Sequence, residues 1–325
     1  MSLSWTLLLF LIFPGFLFTV LAGMLLSWVD RKVTARVQWR KGPPLLQPLY
    51  DFFKLLGKET IVPAGGSRAA FLLAPAAGLA GATLAAAYVG TAAFFPGTIG
   101  FSGDLIVVLY LLVVPSLALI MGGAASRNPL ASVGASREMK LVLAYELPFI
   151  LAMLVPVVQS GGTLQLAKLV AWQAEHGSFA FSISGIVALL VVILVAQAKM
   201  GLVPFDQAEA ETEIMGGVLI EYSGPPLALF KLTKMMMLYT MPLFVVVVLW
   251  GGFAKSVPVA NSAPRVALTA GSVLLGVVKF LVLIVAAVVI RNTNPRLRIQ
   301  HAVSFFWRPM SLAAIGSVAV ALLGA

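Results

Sequence analysis

The chain has no cysteine among its 325 residues and only two histidines, His176 and His301. Without thiols it forms no disulfide, holds no iron-sulfur cluster and builds no Cys-ligated zinc site. The histidines lie on connections between different apolar runs, without a companion at ligand spacing, so both are read as surface or interfacial residues and no haem or metal pair is expected. Charge is scarce as well: Asp, Glu, Lys and Arg together make up 10% of the chain, and only 12 residues are acidic. Neither GxxxxGK[ST] nor GxGxxG occurs, so no nucleotide site is signalled. The formal charge of +10 makes nucleic acid an obvious partner class to consider, but no basic patch with aromatic stacking partners lies outside the apolar runs, and no nucleic acid is expected.

What is present is apolar. Hydrophobic residues make up 60% of the chain, mean hydropathy is +1.01, and runs of about 20 apolar residues recur. That much apolar surface has no soluble core to fill, so the composition predicts an all-α polytopic protein of the cell (inner) membrane, one membrane domain over residues 1–325 with the lipid bilayer as solvent. Eight spans are expected, at residues 5–29, 71–89, 105–125, 141–158, 183–198, 227–250, 267–290 and 305–323. The first has no positive charge before it, the reverse of a cleavable signal peptide, and Pro14-Gly15 is expected to bend it. Alternating the sides puts sixteen Lys/Arg on or beside the connections 30–70, 126–140, 199–226 and 291–304, against three (Lys168, Lys255 and Arg265) on the others. The first set is therefore cytoplasmic and both termini lie outside.

Within the first connection, Leu45, Leu46, Leu49, Phe52, Phe53, Leu55 and Leu56 alternate with Gln47, Asp51, Lys54 and Lys58. This pattern predicts an amphipathic helix lying along the interface or against a partner. Residues 199–226 hold five of the twelve acids, Asp206, Glu209, Glu211, Glu213 and Glu221, interleaved with Ala, Ile, Met, Val and Leu rather than Ser or Asn. Pro204 suits a first helical turn and Gly216-Gly217 a stop, which predicts a half-buried acidic helix with Asp206, Glu209 and Glu213 on one face and Glu211 elsewhere. Like charges so close raise one another's pKa, and such a cluster can pass protons. Glu146 lies inside the fourth span, where an ionisable group is costly unless paired, hydrated or neutralised. It is read as part of an ion path; the plainer alternative is an ion pair with Lys231 or Lys234. Glu146→Gln is then expected to leave assembly intact while ion movement falls. Asp104 is read as a helix cap.

Three blocks resemble the respiratory complex I subunit 1 family, an eight-helix membrane subunit, together with its relatives in energy-converting membrane-bound nickel-iron hydrogenases and formate hydrogenlyase. The first is Asp30-Arg31-Lys32 followed by residues 35–43 (ARVQWRKGP) and 45–55 (LLQPLYDFFKL). The second is Arg137 with Tyr145-Glu146-Leu147-Pro148, and the third runs from Pro204-Phe205-Asp206 through Glu209, Glu211 and Glu213 to Glu221-Tyr222-Ser223-Gly224. The resemblance covers essentially the whole chain. It departs at Gly42-Pro43, which runs almost directly into Leu45-Leu46-Gln47-Pro48 without the insert typical of quinone-reducing members; this is similar to the hydrogenase-type relatives.

The resemblance implies a subunit that carries out no bond chemistry and holds no cofactor. The nickel-iron centre and iron-sulfur clusters would sit on partners: hydrogenase large and small subunits and a ferredoxin-like iron-sulfur subunit. Arg31, Arg36, Arg40, Lys41, Asp51, Lys54 and Arg137 would dock that soluble arm. Glu146, Asp206, Glu209, Glu211, Glu213 and Glu221 would relay protonation changes towards antiporter-like membrane subunits. Three readings stay open on the sequence: the anchoring, ion-coupling subunit of an energy-converting hydrogenase, the quinone-site subunit of a complex I type NADH dehydrogenase, and a stand-alone ion-coupled transporter.

Overall fold

The computed structural model describes residues 3–97, 100–259 and 262–324. Its helices follow the apolar runs. The first crossing is made in two pieces, α1 (Leu3–Leu11) and α2 (Phe16–Val37), broken at the expected Pro14-Gly15, where the Thr19 hydroxyl donates to the Pro14 carbonyl (3.1 Å) that the break leaves free. The amphipathic α3 (Gln47–Leu56) follows, then α4 (Arg68–Phe94) and the pair α5 (Asp104–Leu111) and α6 (Val114–Ala125). α7 (Pro129–Gln159) is followed by α8 (Leu166–His176), α9 (Ile183–Lys199) and the single turn α10 (Glu211–Ile214). α11 (Gly224–Val248), α12 (Ala270–Thr293), α13 (Ile299–Phe305) and α14 (Ser311–Leu322) complete the set, the last two joined by one π turn over Phe306–Met310.

Seven of these segments, counting α1–α2, α5–α6 and α13–α14 as one each, are long and apolar enough to cross a membrane. α9, a shorter apolar helix of 17 residues, is about 26 Å long at 1.5 Å per residue, close to a bilayer core about 30 Å thick, and is read as the eighth crossing. Contacts agree with the alternation. On one side the connections meet one another: the Ser223 hydroxyl donates to the Glu59 carbonyl (3.1 Å), Glu221 accepts from Asn128, and the Leu297 amide donates to the Pro204 carbonyl (3.2 Å). On the other, Asp104 accepts from the Leu166 amide (2.7 Å) and Gln173 from the Gly251 amide (2.7 Å). Asp104, expected as a helix cap, thus takes up the first amide of α8.

α11 is the axis. Apolar apart from Lys231, Lys234 and a few hydroxyls, it packs against α2, α3, α4, α6, α8, α9 and α12 and is buried along most of its length. It meets α2 tightly at Gly23, where a Cβ would lie 2.5 Å from the Met235 carbonyl oxygen, so the two backbones meet at a distance only glycine permits. Beside it, Phe71 and Tyr222 stack at 4.0 Å, and the Tyr222 hydroxyl donates to the Phe71 carbonyl (2.9 Å), fixing the 200–223 connection to α4.

Three expectations are corrected. α7 starts at Pro129, not near residue 141: Asn128 caps it by accepting from the Leu130 amide, so Arg137 and Lys140 ride on a helix of about 46 Å that rises out of the membrane rather than on a loop over 126–140. The acidic helix over 204–216 does not form. Gly201, Gly216 and Gly217 take positive φ, and the carboxylates of the stretch are drawn to cations on different elements, leaving only the four residues of α10 helical. Finally, the helical fold carries, among the described residues, one antiparallel hairpin, β1 (Lys255–Val259) and β2 (Ser262–Ala267), in the outer connection between α11 and α12, where no strand was expected.

The charge asymmetry predicts the orientation, and the absence of native cysteine makes it measurable. A cysteine introduced at Lys41, an exposed position ahead of α3, is expected to react with a membrane-impermeant maleimide from the cytoplasmic face only. Labelling from the outer face inverts the topology.

Candidate functional site

Where α2, α6, α7, α9, α11 and α12 converge below the 200–223 connection, they enclose a cavity of about 490 Å³. Its wall carries five acids, Asp30, Glu138, Asp206, Glu209 and Glu211, and six cations, Arg31, Lys199, Lys231, Lys234, Arg291 and Arg296. A wall so evenly mixed does not concentrate one sign of ion; it is a network whose members are set against each other. Asp30 on α2 pairs with Arg291 on α12, Asp206 with Arg296 at 2.5 Å, and Glu209 with Lys234 on α11 at 2.8 Å. These pairs tie the connection to different elements, which is why its carboxylates are spread rather than aligned on one helical face.

Two of the buried carboxylates keep an oxygen in hand. Asp30 Oδ1 and Asp206 Oδ1 are sealed from the surface and have no protein donor among the described residues. Burial pushes the Asp206 carboxyl above its ordinary value, with Arg296 and Lys234 pulling it back down. Outside the cavity wall, burial also raises Asp51 on α3, but the hydrogen bonds from Arg31 (2.8 Å) and Gln47 (2.8 Å), with the charges of Arg31 and Lys231, outweigh it and hold the carboxyl low.

The expected ion-path residues do not form one chain. Asp206, Glu209 and Glu211 line the cavity; Glu213 is drawn to Arg137 on α7 and Glu221 to Asn128, both outside its wall. Glu146 is not on the wall either. It pairs with Lys199 at the end of α9, and not with Lys231 or Lys234, because α9 packs directly on α7 and brings the lysine across. Of the expected docking residues, Arg36, Arg40, Lys41 and Lys54 stand at the surface, whereas Arg31, Asp51 and Arg137 are engaged in internal ion pairs. Both histidines are exposed, and among the described residues no group of His, Asp and Glu could hold a metal ion.

Residues that carry no evident signal of function in the sequence complete the site. Glu138 is 6% exposed, lines the cavity and, among the described residues, has no ion pair; its hydrogen-bond partner is Ser116 on α6, whose hydroxyl is also 3.3 Å from that of Tyr145. A signal existed: Glu138, Leu141, Val142, Tyr145 and Phe149 recur at helical spacing, so a helix begun at 129 rather than 141 puts Glu138 on its buried face. Lys199 follows Val192, Val195 and Ala196 in the same way on α9. Asp30, Arg291 and Arg296 sit at span ends, where orientation alone accounts for a charge, and only the fold reveals their partners.

A family profile described as NADH dehydrogenase matches residues 8–322. A membrane relative from Brevibacillus brevis, named as a subunit of NADH-quinone oxidoreductase, is 30% identical over 327 residues, covering 97% of this chain and 93% of that protein. The protein of the same name from Dehalococcoides mccartyi strain 195 is 30% identical over 342 residues, covering 100% and 90%. Among solved structures, a chain of the membrane-bound sulfane sulfur reductase, described as an archaeal respiratory membrane complex, superposes with a TM-score of 0.80 at 27% identity, over 94% of this chain and 96% of that one. With the match running through all eight crossings and the charged connection between the fifth and sixth, the chain belongs to the NADH dehydrogenase family of membrane subunits, the complex I subunit 1 family.

Proposed function

We propose that this chain is the membrane subunit of a complex I type NADH:quinone oxidoreductase, anchoring the redox arm on its basic face and passing the arm's charge changes to the membrane through the mixed-charge cavity. The observation that carries this reading is the near full-length match to relatives named as subunits of NADH-quinone oxidoreductase. Exposure supports such a role: Arg36, Arg40, Lys41 and Lys54 stand at the surface, Tyr50 and Phe53 of α3 are open, and Arg31, which pairs with Asp51 of α3, also lines the cavity. In this reading flavin and iron-sulfur clusters belong to partner subunits, and antiporter-like membrane subunits receive the relay.

A second reading, an anchor of the hydrogenase or sulfur-reductase type, draws support from the direct run of Gly42-Pro43-Pro44 into Leu45-Leu46-Gln47-Pro48 and from the likeness to the sulfane sulfur reductase chain. Purifying the native complex through a tag on this chain separates the two. NADH oxidation by a short-chain quinone is expected to co-purify; hydrogen evolution or sulfur reduction without NADH:quinone activity favours the second reading and removes the first.

A further inference from the structure

Arg308 is a charge inside a span with nothing in this chain to balance it. It lies in the π turn between α13 and α14, about 13 Å in from Ile299 at 1.5 Å per residue. The turn is fixed from the inside. Phe306 is buried, its ring 6.1 Å from that of Tyr145 on α7 and 4.8 Å from that of Phe205, and the Ser311 hydroxyl donates to its carbonyl (2.9 Å) where Pro309 breaks the regular ladder. Two residues on, Arg308 points the other way. It is exposed, is absent from the cavity wall and has no hydrogen bond or ion pair among the described residues. Lysines inside the other spans are provided for: Lys279 on α12 donates to the Trp250 carbonyl (2.6 Å), Lys199 to Glu146 and Lys234 to Glu209 (2.8 Å), and Lys231 lines the cavity.

The face that continues from Arg308 is unlike one made for lipid. α12 and α13–α14 are the least buried of the long spans, yet their open faces differ. α12 shows Leu274, Leu275, Val278, Leu281, Val282 and Val285, bulky and apolar throughout. α14 shows Leu312, Ile315, Gly316 and Ala319 at helical spacing, so its centre is small. A Cβ at Gly316 would meet nothing within 4 Å among the described residues, so no contact within this chain calls for glycine, a residue that weakens a helix relative to alanine. Small residues of this kind let a second membrane helix come close. We infer that this flank of α13–α14 seats a transmembrane helix of another membrane subunit, and that an Asp or Glu of that helix pairs with Arg308. The planar guanidinium takes both oxygens of a carboxylate, and the pair neutralises a charge that is costly against lipid. The inference rests on the chain being a subunit of a membrane complex, and not on which reaction that complex performs.

Cross-linking followed by charge exchange tests this. A photoreactive residue replaces Leu312 or Ile315 in the tagged chain, is activated in the native membrane, and the joined peptides are identified after the complex is purified. The expected product is a membrane helix of another subunit with an Asp or Glu near the linked position. Arg308→Glu is then expected to lower recovery of that subunit with the tagged chain at least several-fold, and changing the partner's carboxylate to Arg is expected to restore it. Neither a packing role within this chain nor a lipid contact produces that reciprocity. Arg308→Gln, which removes the charge without reversing it, is expected to lower recovery too and serves if the glutamate variant does not accumulate. Cross-links to lipid alone make Arg308 a headgroup ligand and overturn the inference. A linked helix without an acid, unchanged recovery in either accumulated variant, or no restoration by the exchange overturns it as well. A wild-type chain that purifies with no other membrane subunit refutes the complex-subunit reading beneath it, an outcome distinct from these.

Discussion

Glu146→Gln is expected to destabilise the subunit by about 3–5 kcal/mol, the range for breaking a buried ion pair by removing one partner. The size follows from the partner: the Lys199 side chain has 0% exposure, and its hydrogen bond to Glu146 is the direct anionic contact that balances its charge. Glutamine keeps an acceptor oxygen at the site but not the charge. On the sequence alone Glu146→Gln assembles normally, because glutamine keeps the size and much of the hydrogen bonding of glutamate; the ion pair with Lys199 is what changes that expectation. A second change should reverse much of the loss. Glu146→Gln combined with Lys199→Met removes both charges, and a buried pair replaced by neutral groups of similar volume is often no less stable. Thermal unfolding of the detergent-solubilised complex gives the order: wild type and double variant close together, Glu146→Gln well below both. If the single variant melts with wild type, Lys199 carries no charge there and the pair does not hold α7 to α9.

What could be read from the chain without its fold follows from where the information lies. Apolar runs report on lipid, so each crossing was visible, as was the break at Pro14-Gly15 and the amphipathic α3. The start of α7 was not, because Arg137, Glu138 and Lys140 look like the end of a span to any rule based on hydropathy. Only the Asn128-Pro129 cap and the helical spacing from Ala131 through Glu138 to Tyr145 mark the extra turns. The acidic stretch shows the opposite failure. Its local signals favour a helix, yet Asp206, Glu209 and Glu213 are each bound by a cation on another element, and those tertiary pairs outweigh the few tenths of a kcal/mol per residue at stake in helix propensity. Partner choice among charges is a property of packing: α9 beside α7 decides that Glu146 meets Lys199.

Asp206 links this network to pH, and Arg296→Ala should expose the link. In the folded chain burial raises the Asp206 carboxyl above its ordinary 3.8, opposed chiefly by Arg296. A carboxyl raised on folding binds its proton more tightly in the native state, so stability falls as pH climbs from the unfolded value through the raised one and is level above it. Removing Arg296 takes away the strongest opposing influence and pushes the carboxyl higher still. The side chain is 9% exposed and Oδ1 already lacks a donor, so the ionised variant holds a buried carboxylate whose direct partner is gone. The expected deficit is about 3–5 kcal/mol at pH values above the raised carboxyl. It should shrink on acidification, as a proton replaces the lost cation, while Arg296→Lys retains a charge and recovers part of the difference. Thermal unfolding of wild type and variant over a pH series checks the sign. A deficit that is constant with pH assigns Arg296 a packing role alone, and one that grows on acidification contradicts a carboxylate held ionised by Arg296 at the cavity wall.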